Sequence, residues 1–217
     1  DQHKEDVNET IDQTETGSFD WYLDIISQYQ HGDSLIIENN RPVYPTIDET
    51  KQIVQGYSIK QGAGTDTKLY IKVAKEVSGD LVKFTSSELA GLKAYFFKRR
   101  ILGTDFEIIS IDANLLQLDA DIKLDATIYD ANGSLLSDST VFPILDAINE
   151  HNKTFAFKGT YYISRLIDTV MDVPGVIDFN PTSTELDTVS FTTGNVVPAA
   201  GYVKLDEPNS NLTYVLN

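Results

Sequence analysis

One segment of this chain alternates between apolar and polar residues from Leu118 to Tyr129, and it constrains the fold more than any other feature. The apolar positions are Leu118, Ala120, Ile122, Leu124, Ala126 and Ile128. The positions between them are Asp119, Asp121, Lys123, Asp125, Thr127 and Tyr129. Because successive side chains of a β-strand point to opposite faces of the sheet, the pattern predicts a strand that is covered on one face and solvated on the other.

The residues after this strand predict two helices and a return to the sheet. A turn at Asp130-Ala-Asn-Gly133 frees the backbone for positive φ. The apolar spacing over 141–148 and over 161–170 predicts two helices separated by a short apolar segment. Pro174-Gly175 ends the second helix and reverses the chain, so that 176–179 re-enters the sheet. Together these elements predict a strand-helix-helix-strand module.

This order of elements resembles the C-terminal half of the baseplate J family, whose members form the wedges of contractile phage-tail baseplates and of related injection devices. Two segments carry the resemblance: the connector Phe155-Ala-Phe-Lys-Gly159 and the turn Val173-Pro-Gly-Val176. The likeness covers about residues 85–217 and is most distinct over 115–179.

The resemblance implies a structural protein that acts by protein–protein assembly, rather than an enzyme. It implies no catalytic residue, no cofactor and no metal. The expected partners are other baseplate or tail proteins, with self-association in the assembly left open. The expected location is the virion tail baseplate, assembled in the host cytoplasm.

The whole chain mixes strands and helices without βαβ alternation, which indicates an α+β fold with mixed sheets and packed helices. Three regions are predicted: an acidic, loosely ordered tail over 1–17, an N-terminal α+β region over 18–112, and a C-terminal α+β region over 113–217. The first 50 residues hold 12 acidic and 2 basic residues. Such a tail either solubilises the chain or docks on a basic neighbour.

Local patterns predict the remaining elements. In the N-terminal region they predict a hairpin of 35–37 with 42–44, strands over 53–60, 68–75, 81–84 and 106–111, and a helix that opens at Ser86 or Ser87. In the C-terminal region they predict a loop over 181–195 and a closing hairpin of 202–205 with 212–216.

A helix that begins after Ser18 has apolar residues on more than one side. Its main stripe holds Phe19, Tyr22, Leu23, Ile26 and Tyr29, while Trp21 and Ile25 lie toward the other side. The surplus apolar surface predicts partner contacts at Phe19, Trp21, Tyr22 and Ile25, with residues 1–30 as the most partner-dependent segment. Burial of the same residues in the chain's own core is the alternative.

Two enzyme-like or ligand-binding alternatives remain open. Nucleotidyltransferases hold two carboxylates at i and i+2 on one strand face, as Asp119 and Asp121 are placed here. The alternation of the strand already accounts for both aspartates, and the nearest turn, Leu102-Gly-Thr104, departs from the pattern of that enzyme class. A surface adhesin or carbohydrate-binding module agrees with the acidic, Tyr-rich composition but has no specific motif here.

Composition excludes several classes of site. The chain of 217 residues has no cysteine, so disulfides, thiolate metal sites and thiol nucleophiles are excluded. A net charge of −16 argues against nucleic acid as a partner, because phosphate binding needs a basic face. No apolar run is long enough to predict a membrane span, and no secretory signal is expected. The three histidines, His3, His31 and His151, lie in separate segments and predict no metal site.

Overall fold

The structure is a computed structural model and describes residues 16–217. The predicted loose order of the acidic tail falls mostly on residues outside this range. The chain divides into two compact units, of which the first ends at Asp112 and the second spans Ala113–Asn217. Helices and mixed sheets occur in both units, so the fold is α+β, as the sequence predicts.

Eight regular elements form the first unit, with a short 3-10 helix at Glu49–Lys51. They are β-strands β1 (Ile36–Glu38), β2 (Arg41–Val43), β3 (Gly56–Gln61), β4 (Leu69–Val77), β5 (Asp80–Val82) and β6 (Phe106–Ile109), and helices α1 (Phe19–Ser27) and α2 (Ser86–Arg99). The predicted hairpin of β1 with β2 is confirmed, and β3 pairs antiparallel with β4.

Strand β4 organises the sheet of the first unit. Strand β3 pairs with one edge of β4, while β5 and β6 pair with different stretches of β4, antiparallel and parallel respectively. Helix α2 begins with a capping box, in which the Thr85 side chain and the Glu88 side chain each accept from the other residue's backbone N–H. This exchange satisfies two amides that an uncapped helix start would leave without partners.

The second unit contains nine helices and strands and a 3-10 helix at Glu207–Asn209. They are β7 (Asn114–Leu124), α3 (Pro143–Phe155), β8 (Tyr161–Tyr162), α4 (Ile163–Met171), β9 (Val176–Leu186), β10 (Val189–Ser190), β11 (Asn195–Val196), β12 (Val203–Leu205) and β13 (Asn211–Leu216), together with two isolated bridges in the turn that follows β7. The order β7, α3, α4, β9 confirms the predicted strand-helix-helix-strand module.

Strand β7 is the centre of the second sheet, and its apolar positions are buried. Leu116, Leu118, Ala120, Ile122 and Leu124 form one cluster with residues of both helices, among them Ile148 of α3 and Leu166 of α4. The opposite face of β7 carries the polar residues. The sequence prediction of a strand covered on a single face is therefore confirmed.

Strand β7 begins and ends earlier than the alternation alone predicts. It ends at Leu124, and the predicted strand residues 125–129 form a turn. The Asp125 carboxylate accepts hydrogen bonds from the backbone N–H and the hydroxyl of Thr127, at 2.8 Å and 2.6 Å. This local bonding competes with the strand ladder and reverses the chain.

The predicted loop over 181–195 is wrong at its start. Strand β9 continues through Pro181 to Leu186, antiparallel to β7. The register shifts between Asp119 and Ala120, where β9 carries one extra residue, Thr182. A bulge of this kind tolerates the proline, which cannot donate to a ladder.

The predicted closing hairpin of 202–205 with 212–216 is also wrong. Strands β12 and β13 both pair with β7, and both run parallel to it. Strand β12 pairs with Asn114–Leu116 and β13 pairs with Asp119–Leu124, so the two lie end to end along one edge of β7. The intervening residues form the 3-10 helix rather than a hairpin turn.

The Val173-Pro-Gly-Val176 turn is built into the end of β7. The Gly175 carbonyl accepts from the backbone N–H of Asp125 at 2.9 Å, and the Pro174 carbonyl accepts from the Tyr129 hydroxyl at 2.7 Å. Gly175 has a φ of +86°, and a Cβ there would lie 2.8 Å from side-chain atoms of both Ile128 and Tyr129. The turn therefore requires glycine for its backbone conformation and for its close packing.

We predict that Gly175→Ala destabilises the protein by about 1–3 kcal/mol or more, because it combines left-handed backbone strain with a steric clash. Gly159→Ala is the matched control, since Gly159 has a φ of +94° but no atom within 4 Å of an added Cβ. Urea denaturation of both variants measures the difference. Equal losses of stability in the two variants would show that the packing of the turn contributes nothing.

Candidate functional site

The outer face of the second sheet is acidic and solvated. On β7 it carries Asp119 and Asp121, which the register places opposite Ser183 and Asn180 of β9. Lys123 on the same face forms an ion pair with Asp178 of β9 at 3.0 Å, and both side chains are about half exposed. The face therefore has a surplus of negative charge with its lone β7 lysine already paired.

Asp119 has a structural partner at the start of β13. Its carboxylate accepts the backbone N–H of Asn211 at 3.0 Å, at the residue where β13 joins the sheet. A charge-assisted bond to a backbone amide fixes this end of the strand. Asp119 thus takes part in holding the edge strand in register.

The two aspartates lie on one face, as the nucleotidyltransferase alternative requires. Within residues 16–217, however, no group of three or more His, Asp or Glu side chains converges in a way that could hold a metal ion. The turn compared with the nucleotidyltransferase pattern, Leu102-Gly-Thr104, belongs to the first unit. The two aspartates belong to the second unit. The residues that surround Asp121 in the sheet register are Asn180 and Thr213, which carry no charge.

Two of the four predicted partner contacts on α1 are core residues. Ile25 is 1% exposed and Tyr22 is also buried, in one cluster with Leu92 and Phe96 of α2. The hydroxyl of Tyr22 shares a hydrogen bond with the Thr104 hydroxyl at 2.9 Å, and the Tyr95 hydroxyl donates to the Ile25 carbonyl. Their prediction as partner contacts is corrected: the surplus apolar surface of α1 is used inside the same unit.

The other two predicted contacts differ from each other. Trp21 is partly buried and packs edge-on against Tyr22, with ring centroids 4.9 Å apart. Phe19 is 48% exposed at the start of the helix, where Ser18 caps the backbone by accepting the Trp21 N–H. Phe19 is therefore the one of the four with a largely accessible ring. The prediction that residues 1–30 are the most partner-dependent segment does not hold for the buried part of α1, which contributes to the core. Residues 1–15 lie outside the range that the structure describes.

Exposed apolar residues also occur at the end of α2, where sequence reasoning did not place a site. Phe97, Ile101 and Leu102 are exposed, and the Arg100 guanidinium lies over the Phe97 ring at 4.4 Å. The signal in the sequence is the basic run Lys98-Arg-Arg100 beside these residues in an otherwise acidic chain.

The two described histidines serve local packing. The Nδ1 atom of His31 lies 3.0 Å from the Tyr29 hydroxyl. His151, within α3, is half-buried, and its Nδ1 atom lies 2.9 Å from the Thr169 hydroxyl of α4. Burial, and to a lesser degree the nearby Arg165 guanidinium, lowers the pKa of His151 below its ordinary value of 6.5. His151 therefore joins the two helices as a neutral ring.

We predict that His151 makes the folded protein less stable as the pH falls below about 6.5. Its folded-state pKa is lowered, so the unfolded chain takes up the proton first and is favoured by acid. The slope from this one group is at most about 1.4 kcal/mol per pH unit. Denaturation of the native chain and of His151→Gln at pH 7.5 and 5.5 tests this, because the variant lacks the titrating ring. Identical losses in the two proteins would contradict the role of His151.

We also predict that Ile25→Ala destabilises the isolated protein by about 2–5 kcal/mol, because it leaves a cavity in the core of the first unit. Phe19→Ala on the same helix is the control, with an expected change within about 0.5 kcal/mol. Thermal or urea unfolding provides both values. A small effect of Ile25→Ala would restore Ile25 as a partner contact rather than a core residue.

No protein-family model matches this chain, and no curated protein matches it. Within the described residues, no helix is long and apolar enough to cross a membrane.

Proposed function

We propose that this chain is a structural subunit of a contractile phage-tail baseplate wedge, or of a related injection device, and that it acts through protein–protein assembly. Its partners are other baseplate or tail proteins, and its place is the tail baseplate of the virion. In this proposal the chain carries no catalytic residue and needs no cofactor. The observation that carries the proposal is the structural role of the two segments on which the family resemblance rests.

The first of these segments, the Val173–Val176 turn, joins the helix pair to the sheet. Its carbonyls bind the turn that follows β7, and Gly175 packs directly against Ile128 and Tyr129. Every polar contact described for this turn is internal to the second unit. A sequence motif with this placement stabilises the fold of the unit rather than forming a catalytic or binding site.

The second segment, Phe155–Gly159, is also built into the scaffold. The Phe155 ring packs edge-on against Tyr161 at 4.8 Å, and the Phe157 ring stacks on Tyr202 at 5.8 Å. The Phe157 backbone, at a φ of +60°, donates its N–H to the Gly201 carbonyl. The connector therefore ties the end of α3 to the segment that leads into β12, which supports the reading of both motifs as structural.

The solvated outer face of the sheet supports a role in assembly. Strands β13, β7 and β9 lie side by side in it, and its charge is mostly negative. Complementary charge between neighbouring subunits sets register and suppresses wrong pairings. A subunit of this kind needs such faces in addition to its own core.

We predict that the chain is present at the tail end of purified particles from its source. Immunogold electron microscopy with an antibody against the chain localises it, and mass spectrometry of sheath, tube and baseplate fractions provides an independent measurement. Enrichment in the baseplate fraction is the expected result. Absence of the chain from particles that contain intact baseplates would overturn the proposal.

Nucleotide binding tests the alternative function, that of a nucleotidyltransferase. Binding of labelled nucleoside triphosphate with Mg²⁺ that disappears in both Asp119→Ala and Asp121→Ala would contradict a purely structural role. Asp178→Ala on the same face is the control for general loss of negative charge.

A further inference from the structure

Strand β13 leaves one edge of the second sheet open. It pairs with β7 on one side, and no strand among residues 16–217 pairs with its other side. The backbone of Asn217 bonds toward β7 at both its N–H and its carbonyl, to Leu124 and Ala126. In a parallel ladder the residues bonded to one neighbour alternate, so the backbone groups of Leu212, Tyr214 and Leu216 point to the open edge.

Such an edge is a template for another strand unless the sequence protects it. Natural edge strands are protected by lysine, proline, bulges or inward-pointing charges. Residues 211–217 contain no lysine, no proline and no other charged residue. The pairing of β13 with β7 runs over six residues without a register shift.

The core-facing side of this edge is incompletely covered. Leu212 and Tyr214 point to the side of the helices but are only half-buried, in contrast to their β7 neighbours Ala120 and Ile122. They line a groove of about 250 Å³ together with Phe142 and Leu145 at the start of α3. The rest of the lining is Leu205 and the polar residues Asn132, Glu207 and Ser210. A groove of this kind beside an open strand edge can receive alternate side chains of an added strand.

Two carboxylates lie near the same edge. Glu207 lines the groove, and Asp121 lies on the outer face of β7, one strand in from β13. An added strand would lie about 10 Å from β7, two strand spacings away, within reach of a lysine or arginine side chain. The one basic residue of β7, Lys123, is already paired with Asp178.

We propose that the open edge of β13 binds an extended segment of a partner subunit, which adds a strand to the sheet. Apolar residues at alternate positions of that segment enter the groove beside Leu212 and Tyr214. Basic residues between them lie on the outer face, near Asp121. This inference rests on the proposed assembly function, since it names the way in which one neighbour is held.

The test uses the purified full chain and an eight-residue peptide of alternating Val and Lys with blocked ends. Amide hydrogen exchange followed by NMR reports on each backbone group. We expect the peptide to slow exchange at Leu212, Tyr214 and Leu216. A peptide of alternating Val and Glu should bind at least tenfold more weakly, because it meets the acidic face with like charge.

Two pairs of variants test separately how backbone hydrogen bonds and charge contribute to peptide binding. Leu216→Pro removes an outward N–H and should weaken peptide binding at least fivefold more than Leu216→Ala, which keeps it. Thr213 is exposed on the outer face, so Thr213→Lys should weaken binding of the Val–Lys peptide and Thr213→Glu should strengthen it. Unchanged urea denaturation midpoints confirm that each variant remains folded.

Several results would overturn the proposal. These are equal binding of the two peptides, protection that lies elsewhere in the chain, or no protection at these three amides. Protection that rises with protein concentration in the absence of peptide would mean that a second copy of the chain occupies the edge instead. Because the test uses isolated protein, its failure leaves the presence of the chain in particles as a separate result, and the particle measurement leaves this edge untested.

Discussion

The burial of one face of β7 is the interaction on which the second unit depends. Five apolar side chains of this strand, from Leu116 to Leu124, lie in a cluster with α3 and α4. Burial of each leucine or isoleucine side chain among them contributes about 1.5–3 kcal/mol to the free energy of folding. Because β7 also pairs with β9 on one edge and with β12 and β13 on the other, every strand of this five-stranded sheet except β10 is attached to it directly.

This arrangement divides the unit into surfaces with different tasks. The inner face of β7 is fully used by the helices, and the turn at Pro174-Gly175 closes the module where the strand ends. The outer face keeps its charged residues in solvent, and β13 keeps an open edge. The first unit likewise has a central strand, since β4 is paired on both edges. Helices α1 and α2 of this unit contribute to one core. In the proposed assembly, neighbours meet the outer face and the edge.

Sequence patterns predicted the elements whose signals are local. The alternation along β7, the Ser18 cap of α1 and the Pro-Gly turn each act within a few residues, and each is present in the structure. The pairing of β12 and β13 could not be predicted in this way, because strand composition does not encode which strand lies beside it. The burial of Ile25 depends on α2, which is about 70 residues away in sequence, as the Tyr95–Ile25 hydrogen bond shows. The end of β7 did have a local signal, the Asp125-Ala-Thr127 spacing, which the longer alternation outweighed.

Native-state hydrogen exchange of the isolated protein tests the central place of β7 most directly. Amides in regions that open only by global unfolding exchange with the free energy of that unfolding. We predict that the ladder amides of β7 from Leu116 to Leu124 are the slowest of the second unit, and that those of β10 and β11 exchange faster through local opening. Faster exchange in β7 than in α3 and α4 would show that the helix pair is stable without the strand, and would contradict this account.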